Sequence, residues 1–164
     1  MIDMPNIKDW LPPTISHNGC DDETIEKAFE VYYHDFYQDT PIFMGMKVIP
    51  LHRERERDTF CHIITKKNEK LKLGRLLSIS RCCAVPQIAP VINHYQERFA
   101  RIYYEKIDGQ RRVCIWYQEI KYVIILIEKD TCFFLLTAYT LDSKHEIRKH
   151  DKSYKKSKKN HYSI

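Results

Sequence analysis

Residues 99–141, FARIYYEKIDGQRRVCIWYQEIKYVIILIEKDTCFFLLTAYTL, constrain the fold of this chain more than any other stretch. Four short runs rich in aromatic and β-branched residues alternate with turn signals, the pattern of consecutive strands. Asp108-Gly109 predicts a tight hairpin, because both residues tolerate the positive φ of a type I′ turn. Tyr122 to Ile127 is nearly continuous in apolar residues, as a central strand covered on both faces would be. Glu128 to Thr131 is a polar turn, and Cys132 to Tyr139 supplies the fourth run. The expectation is a four-stranded antiparallel meander.

The remainder of the 164 residues is long enough to cover such a sheet within one domain. Residues 1–20, with Pro5, Pro12, Pro13 and Gly19, read as an irregular arm, and 21–164 as a single α+β domain with a lysine-rich tail. Asp21-Asp22-Glu23 opens a helix whose apolar face is Ile25, Ala28, Phe29, Tyr32 and Phe36, ended by Thr40-Pro41. Ile42 to Ile49 reads as an extended edge piece broken by Gly45. His52 to Asp58 is an alternating charge run expected as a solvated loop, and Phe60 to Thr65 as a brief apolar strand containing His62. Leu76 to Tyr95, interrupted by Pro86 and Pro90, reads as two short helices or one kinked helix. Lys144 to Lys159 predicts a basic helix with a fraying end. The fold class is therefore α+β, with N-terminal helices packed on the sheet and a C-terminal basic helix.

Charge is unevenly distributed. Residues 1–50 carry three basic and nine acidic side chains, 51–75 eight and four, and 144–164 eight and two. Two basic segments thus flank the strands in sequence, and together they would make a positive face for a polyphosphate partner. No apolar run is long enough to span a bilayer, and the N-terminus has no signal-peptide pattern, so a cytoplasmic protein without a membrane partner is expected. The six cysteines form no C-x-x-C pair and are expected as buried thiols, with no metal site and no cofactor. No phosphate-binding glycine loop, G-x-S-x-G or H-E-x-x-H is present.

Among eight histidines, His62 stands out because an apolar run leads it directly into Thr65 and the cations Lys66 and Lys67. Histidine titrates near neutral pH and suits proton transfer in RNA cleavage, where cations must also surround the phosphate. A satisfied core histidine is the alternative. In order along the chain stand Phe60-Cys61-His62-Ile63-Ile64-Thr65-Lys66-Lys67, Arg81 with Pro90-Val91-Ile92, Trp116 with Glu119, and Leu135-Leu136-Thr137-Ala138-Tyr139. This ordered set, over roughly residues 25–155, resembles the phage- and prophage-associated RNases of the barnase–EndoU–colicin–RelE superfamily. The resemblance implies an α+β RNase fold, metal-independent cleavage, and His62, Thr65, Arg81, Thr137 and Tyr139 as the site. No second histidine or glutamate is identified to complete an acid–base pair; Glu119, His145 and Lys152 are the contenders.

Three functions remain open on sequence. The first is a metal-independent endoribonuclease, a toxin or prophage effector, with RNA held by Lys66, Lys67, Lys70, Lys72, Lys152, Lys155, Lys156, Lys158 and Lys159. The second is a non-catalytic RNA- or DNA-binding module with the same basic face. The third is an interaction protein whose acidic N-terminal part covers a basic surface. An acidic antitoxin or immunity protein is a further candidate partner. Thr137 and Tyr139 share strand parity and fit equally well a polar-tipped core face; Arg81 fits equally a helix cap.

Overall fold

The computed structural model describes residues 6–17, 21–52, 54–68, 74–97 and 100–159. In chain order the helices are α1 (Ile7–Trp10), α2 (Asp21–Tyr33), α3 (Glu56–Ile64), α4 (Ile79–Cys83), α5 (Ile88–Asn93) and α6 (Lys144–Lys159). The strands are β1 (Ile42–Phe43), β2 (Met46–Pro50), β3 (Thr65–Lys67), β4 (Arg75–Leu77), β5 (Ala100–Ile107), β6 (Gln110–Tyr117), β7 (Tyr122–Glu128) and β8 (Phe133–Thr140). The protein is α+β, as its sequence predicts.

The sheet has six strands in the order β1-β2-β8-β7-β6-β5, not the expected four. Strands β5 to β8 pair antiparallel in sequence order, and the Asp108-Gly109 turn has both φ values positive. The two additional strands come from the Ile42–Pro50 segment. Met44 and Gly45, both at positive φ, fold it into a hairpin whose second arm lies parallel to β8. That parallel pairing covers only Phe133 to Leu135 and stops at Pro50, whose nitrogen has no proton to donate. Helices α3 and α4 pack along β8.

Register in β8 shifts opposite Ile125 and Leu126, where Leu136 is the extra residue. Before the bulge Phe133 and Leu135 face the core shared with α2–α5; after it Ala138 does. Thr137, opposite Ile125, and Tyr139 are thereby turned to the other face, over which α6 lies. A second, smaller core forms there from Tyr103, Cys114, Trp116 and Val123, against Ile147 and Tyr154 of α6. The inward positions of α6, Ile147, His150, Tyr154 and Ser157, recur at three- and four-residue steps. Ser143 accepts from the Glu146 amide at its start, while the Glu146 carboxylate accepts from the Asp142 amide.

Three other expectations change. Phe60 to Ile64 is helical, not a strand. Glu56 and Asp58 of the preceding charge run form the first helical turn and favour its dipole, and Thr59, Phe60, Ile63 and Ile64 are the buried face at helical period. His62 is therefore a helix residue, and only Thr65 onward is extended. The N-terminal arm is anchored: Asn6 and Asp9 form a capping box on α1, and Trp10 stacks on His94 at 4.0 Å. Leu76 to Tyr95 begins as β4, and α4 and α5 follow, separated by a 3-10 turn at Val85–Gln87. Among the described residues no helix is long and apolar enough to cross a membrane. Cys82, Cys83 and Cys114 are buried as expected, and burial pushes the Cys114 thiol up to about 12, whereas Cys61 is exposed and Cys132 half-buried; Cys20 lies outside the described residues.

Candidate functional site

The end of α3 and the β3–β4 ribbon build an open concavity. It measures about 520 Å3 and is lined by His52, Thr59, Cys61, His62, Thr65, Arg75 and Leu136, among others. The bulge in β8 brings Leu136 to its wall. His52 follows β2 and is positioned by its backbone amide, which donates to the Thr59 hydroxyl at 3.2 Å. Two histidines thus share one pocket, and a charge on His52 is close enough to lower the His62 pKa.

The last turn of α3 would leave carbonyls unpaired. The Thr65 hydroxyl donates to the Cys61 carbonyl at 2.7 Å, and Arg75 Nη2 donates to the His62 and Thr65 carbonyls at 3.1 and 2.8 Å. Arg75 Nε also donates to Thr65 Oγ1 at 2.8 Å, and Arg81 Nη1 to the Thr65 carbonyl at 2.9 Å. Cations at a helix C-terminus are favoured by its dipole, so both arginines stabilise α3. Neither is in the described ion pairs of this region, Lys66–Asp142 and Arg55–Asp58; Asp58 lines the pocket with Arg75, and the charges of Glu146 and Asp142 act on Arg81. Burial and the charges of Arg75, Arg81 and His52, in that order, hold the His62 pKa below its ordinary value. At neutral pH His62 is an uncharged imidazole with a free proton-accepting capacity beside two guanidinium groups.

The five predicted site residues divide among three environments. His62 and Thr65 line the pocket. Thr65 spends its proton on Cys61 and its lone pair on Arg75, so its part is to hold the arginine, not to donate to a substrate. Arg81 stands behind the pocket, its guanidinium carbon 5.0 Å from the centre of the Tyr139 ring. Tyr139 lies on the α6 side of Arg81, where its hydroxyl meets His150 Nε2 at 3.1 Å. Thr137 is buried in β8 and lines neither the pocket nor the cavity beside Tyr139. The expected site is thus split, with Arg81 bridging its parts.

Sequence reasoning missed His52, Arg75 and His150. The first lay in the charge run taken for a loop, and the second at the end of a lysine-rich segment. His150 is only 9% exposed, and it meets Tyr103 Oη at 2.6 Å through Nδ1. Its signal was available, since it sits at the apolar spacing Ile147–His150–Tyr154 of an otherwise charged helix. The contenders Glu119, His145 and Lys152 are all exposed and line neither this pocket nor the Tyr139 cavity.

Lys66 pairs with Asp142 at 3.0 Å, which ties β3 to the start of α6, and Lys67 is exposed beside it. Lys152, Lys155, Lys156 and Lys159, with Arg148, surround a shallow concavity farther along α6. Lys158 lies over the Tyr154 ring. Lys70 and Lys72 lie outside the described residues. The Lys66–Asp142 pair joins the first basic segment to the start of the second, and Lys155 lies about 16 Å along α6 from Lys144, at 1.5 Å per residue. Among the described residues no three His, Cys, Asp or Glu side chains gather as metal ligands would. No known protein family, curated protein or solved structure matches the chain.

Proposed function

We propose that the protein is a metal-independent endoribonuclease, an effector or toxin of the kind its ordered motifs resemble. One observation carries the reading: His52 and His62 share a pocket with Arg75, while burial and the charges of Arg75 and Arg81 hold the His62 pKa below its ordinary value. The two guanidinium groups favour an anion beside them, which the phosphodiester of RNA supplies.

The roles follow from the neutral state of His62 and the placement of His52 across the pocket. Neutral His62 takes the proton from the 2′-hydroxyl, whose oxygen attacks the adjacent phosphorus. His52, exposed across the pocket from His62, gives a proton to the departing 5′-oxygen. The P–O5′ bond breaks as the P–O2′ bond forms, leaving a 2′,3′-cyclic phosphate and a free 5′-hydroxyl. Arg75 and Arg81 stabilise the charge that gathers on the phosphoryl oxygens. Lysines 66, 67, 152, 155, 156, 158 and 159 hold the flanking backbone.

The test is RNA degradation by purified protein in excess EDTA, compared with His62→Ala and His52→Ala. The wild type is expected to cleave and both variants to lose cleavage while still binding RNA. Binding without cleavage by the wild type favours the nucleic-acid-binding reading instead.

A further inference from the structure

His52 reaches the pocket from a turn that also carries Arg55. The Arg55 amide donates to the His52 carbonyl at 3.1 Å, and the Asp58 amide to the Arg55 carbonyl at 3.0 Å. The backbone therefore sets His52, Arg55 and Asp58 at three-residue steps along the entry to α3. Their side chains join as well. Arg55 Nε pairs with an Asp58 carboxylate oxygen at 3.0 Å, and Arg55 Nη2 lies 3.5 Å from His52 Nδ1. His52 and Asp58 both line the pocket, so one guanidinium ties together two of its lining residues.

The contact between Arg55 and His52 has only one chemical sense. A guanidinium has N–H donors and no acceptor, and it does not lose its charge. His52 Nδ1 must therefore present its lone pair to Arg55, which leaves the ring proton on Nε2. A histidine does not give a proton away from that arrangement. To protonate a departing oxygen and be left neutral, the ring must first hold a proton on each nitrogen. The second proton belongs on Nδ1, where Arg55 stands with a proton of its own. Arg55 has to leave before His52 can act.

We infer that Arg55 is a gate on His52, opened by the phosphodiester that enters the pocket. The step that His52 performs rests on the ribonuclease reading above. A phosphate oxygen is an anionic acceptor and holds a guanidinium more strongly than a neutral ring nitrogen does. The Arg55 side chain is 67% exposed and has room to turn. Its Nε keeps Asp58 while the Nη groups move to the phosphate. Nδ1 then takes a proton from solvent, the ring passes one proton to the 5′-oxygen, and product release returns Arg55 to Nδ1. Without an anion in the pocket, Arg55 keeps Nδ1 bare.

Nitrogen-15 NMR of the His52 ring, on the full chain in EDTA at neutral pH, tests the gate without cleavage. The probe is a 2′-deoxy oligonucleotide, which has phosphodiesters and no attacking hydroxyl. The free protein is expected to show Nδ1 bare and Nε2 protonated; adding the probe at constant pH should put a proton on both. Arg55→Ala should show both tautomers when free and bind the probe about three- to ten-fold more weakly. It should also lower the slope of log affinity against log salt by about one unit. Arg55→Lys keeps the charge without the planar bridge, so it should restore the slope but not the single tautomer. A proton on Nδ1 in the free wild type, or a bare Nδ1 in the probe complex, overturns the proposal. The expected NMR changes in a protein that never cleaves RNA keep the gate and remove the ribonuclease reading. RNA cleavage by a wild type whose Nδ1 stays bare in the probe complex removes the gate alone.

Discussion

Two histidines on opposite sides of Arg81 and Tyr139 have been given different surroundings, and the contrast separates chemistry from architecture. His62 lies at the end of α3, half-buried in an open pocket with a second histidine and Arg75. His150 lies in the middle of α6, buried, with both nitrogens engaged by phenols. Both have pKa values below the ordinary one, with burial as the largest cause in each. The next causes differ. Cations push His62 down further, whereas Glu105 opposes the shift at His150. A histidine with free capacity can move a proton; one with both nitrogens committed can only hold its neighbours in place.

Substitutions at the two positions should therefore give opposite signatures. The largest expected effect is on rate: His62→Ala should lower kcat for RNA cleavage by about 10²–10⁴-fold with affinity changed only a few-fold. Arg81→Gln, which removes charge from behind the pocket, should cost about 10²–10³ in kcat, and single-turnover rates at saturating enzyme measure both. A large loss of affinity without a loss of rate at either position would erase the distinction.

At His150 the effect should fall on stability. His150→Ala leaves the Tyr103 and Tyr139 hydroxyls without this partner, at about 1–3 kcal/mol by urea denaturation, while His62→Ala should change stability much less. The pH dependence sharpens this. A histidine whose folded pKa is depressed binds its proton more readily in the unfolded chain. Stability is then full above the ordinary value of 6.5 and is lost as pH falls below it. His150→Phe should reduce that acid loss; an unchanged acid limb would show that His150 is not the group responsible.

The smallest effect expected is at the tail. Replacing Lys155, Lys156, Lys158 and Lys159 together should flatten the dependence of log affinity on log salt by up to about 3 units, without changing the rate at saturation. An unchanged slope would show that this end of α6 does not touch nucleic acid.

The sheet was largely legible because alternation and turn residues are local signals: Asp108-Gly109 sets one hairpin, and the run Tyr122–Ile127 marks the central strand. Strands β1 and β2 were not legible as part of it, since a parallel pairing with β8 joins residues as far apart as Val48 and Phe133 and leaves no periodic trace. The α3 error has a similar origin. A window confined to Phe60–Thr65 reads as a strand, whereas Glu56 and Asp58 belong to the same helix. The candidate pocket was visible in pieces: His62 and Thr65 were named, but His52 and Arg75 come to His62 only through the turn after β2 and the β3–β4 ribbon. His150 was passed over because its neighbours in sequence are charged, although its neighbours in space are Tyr103, Cys114 and Tyr139.

The central claim is that His62 assists attack by the substrate's own 2′-hydroxyl. A single-turnover assay in EDTA tests it directly, on an RNA strand and on the same strand with one 2′-deoxy sugar at the scissile position. The account predicts cleavage of the first only, with 2′,3′-cyclic phosphate and 5′-hydroxyl ends. Cleavage of the deoxy strand, or 5′-phosphate ends on the products, would contradict it.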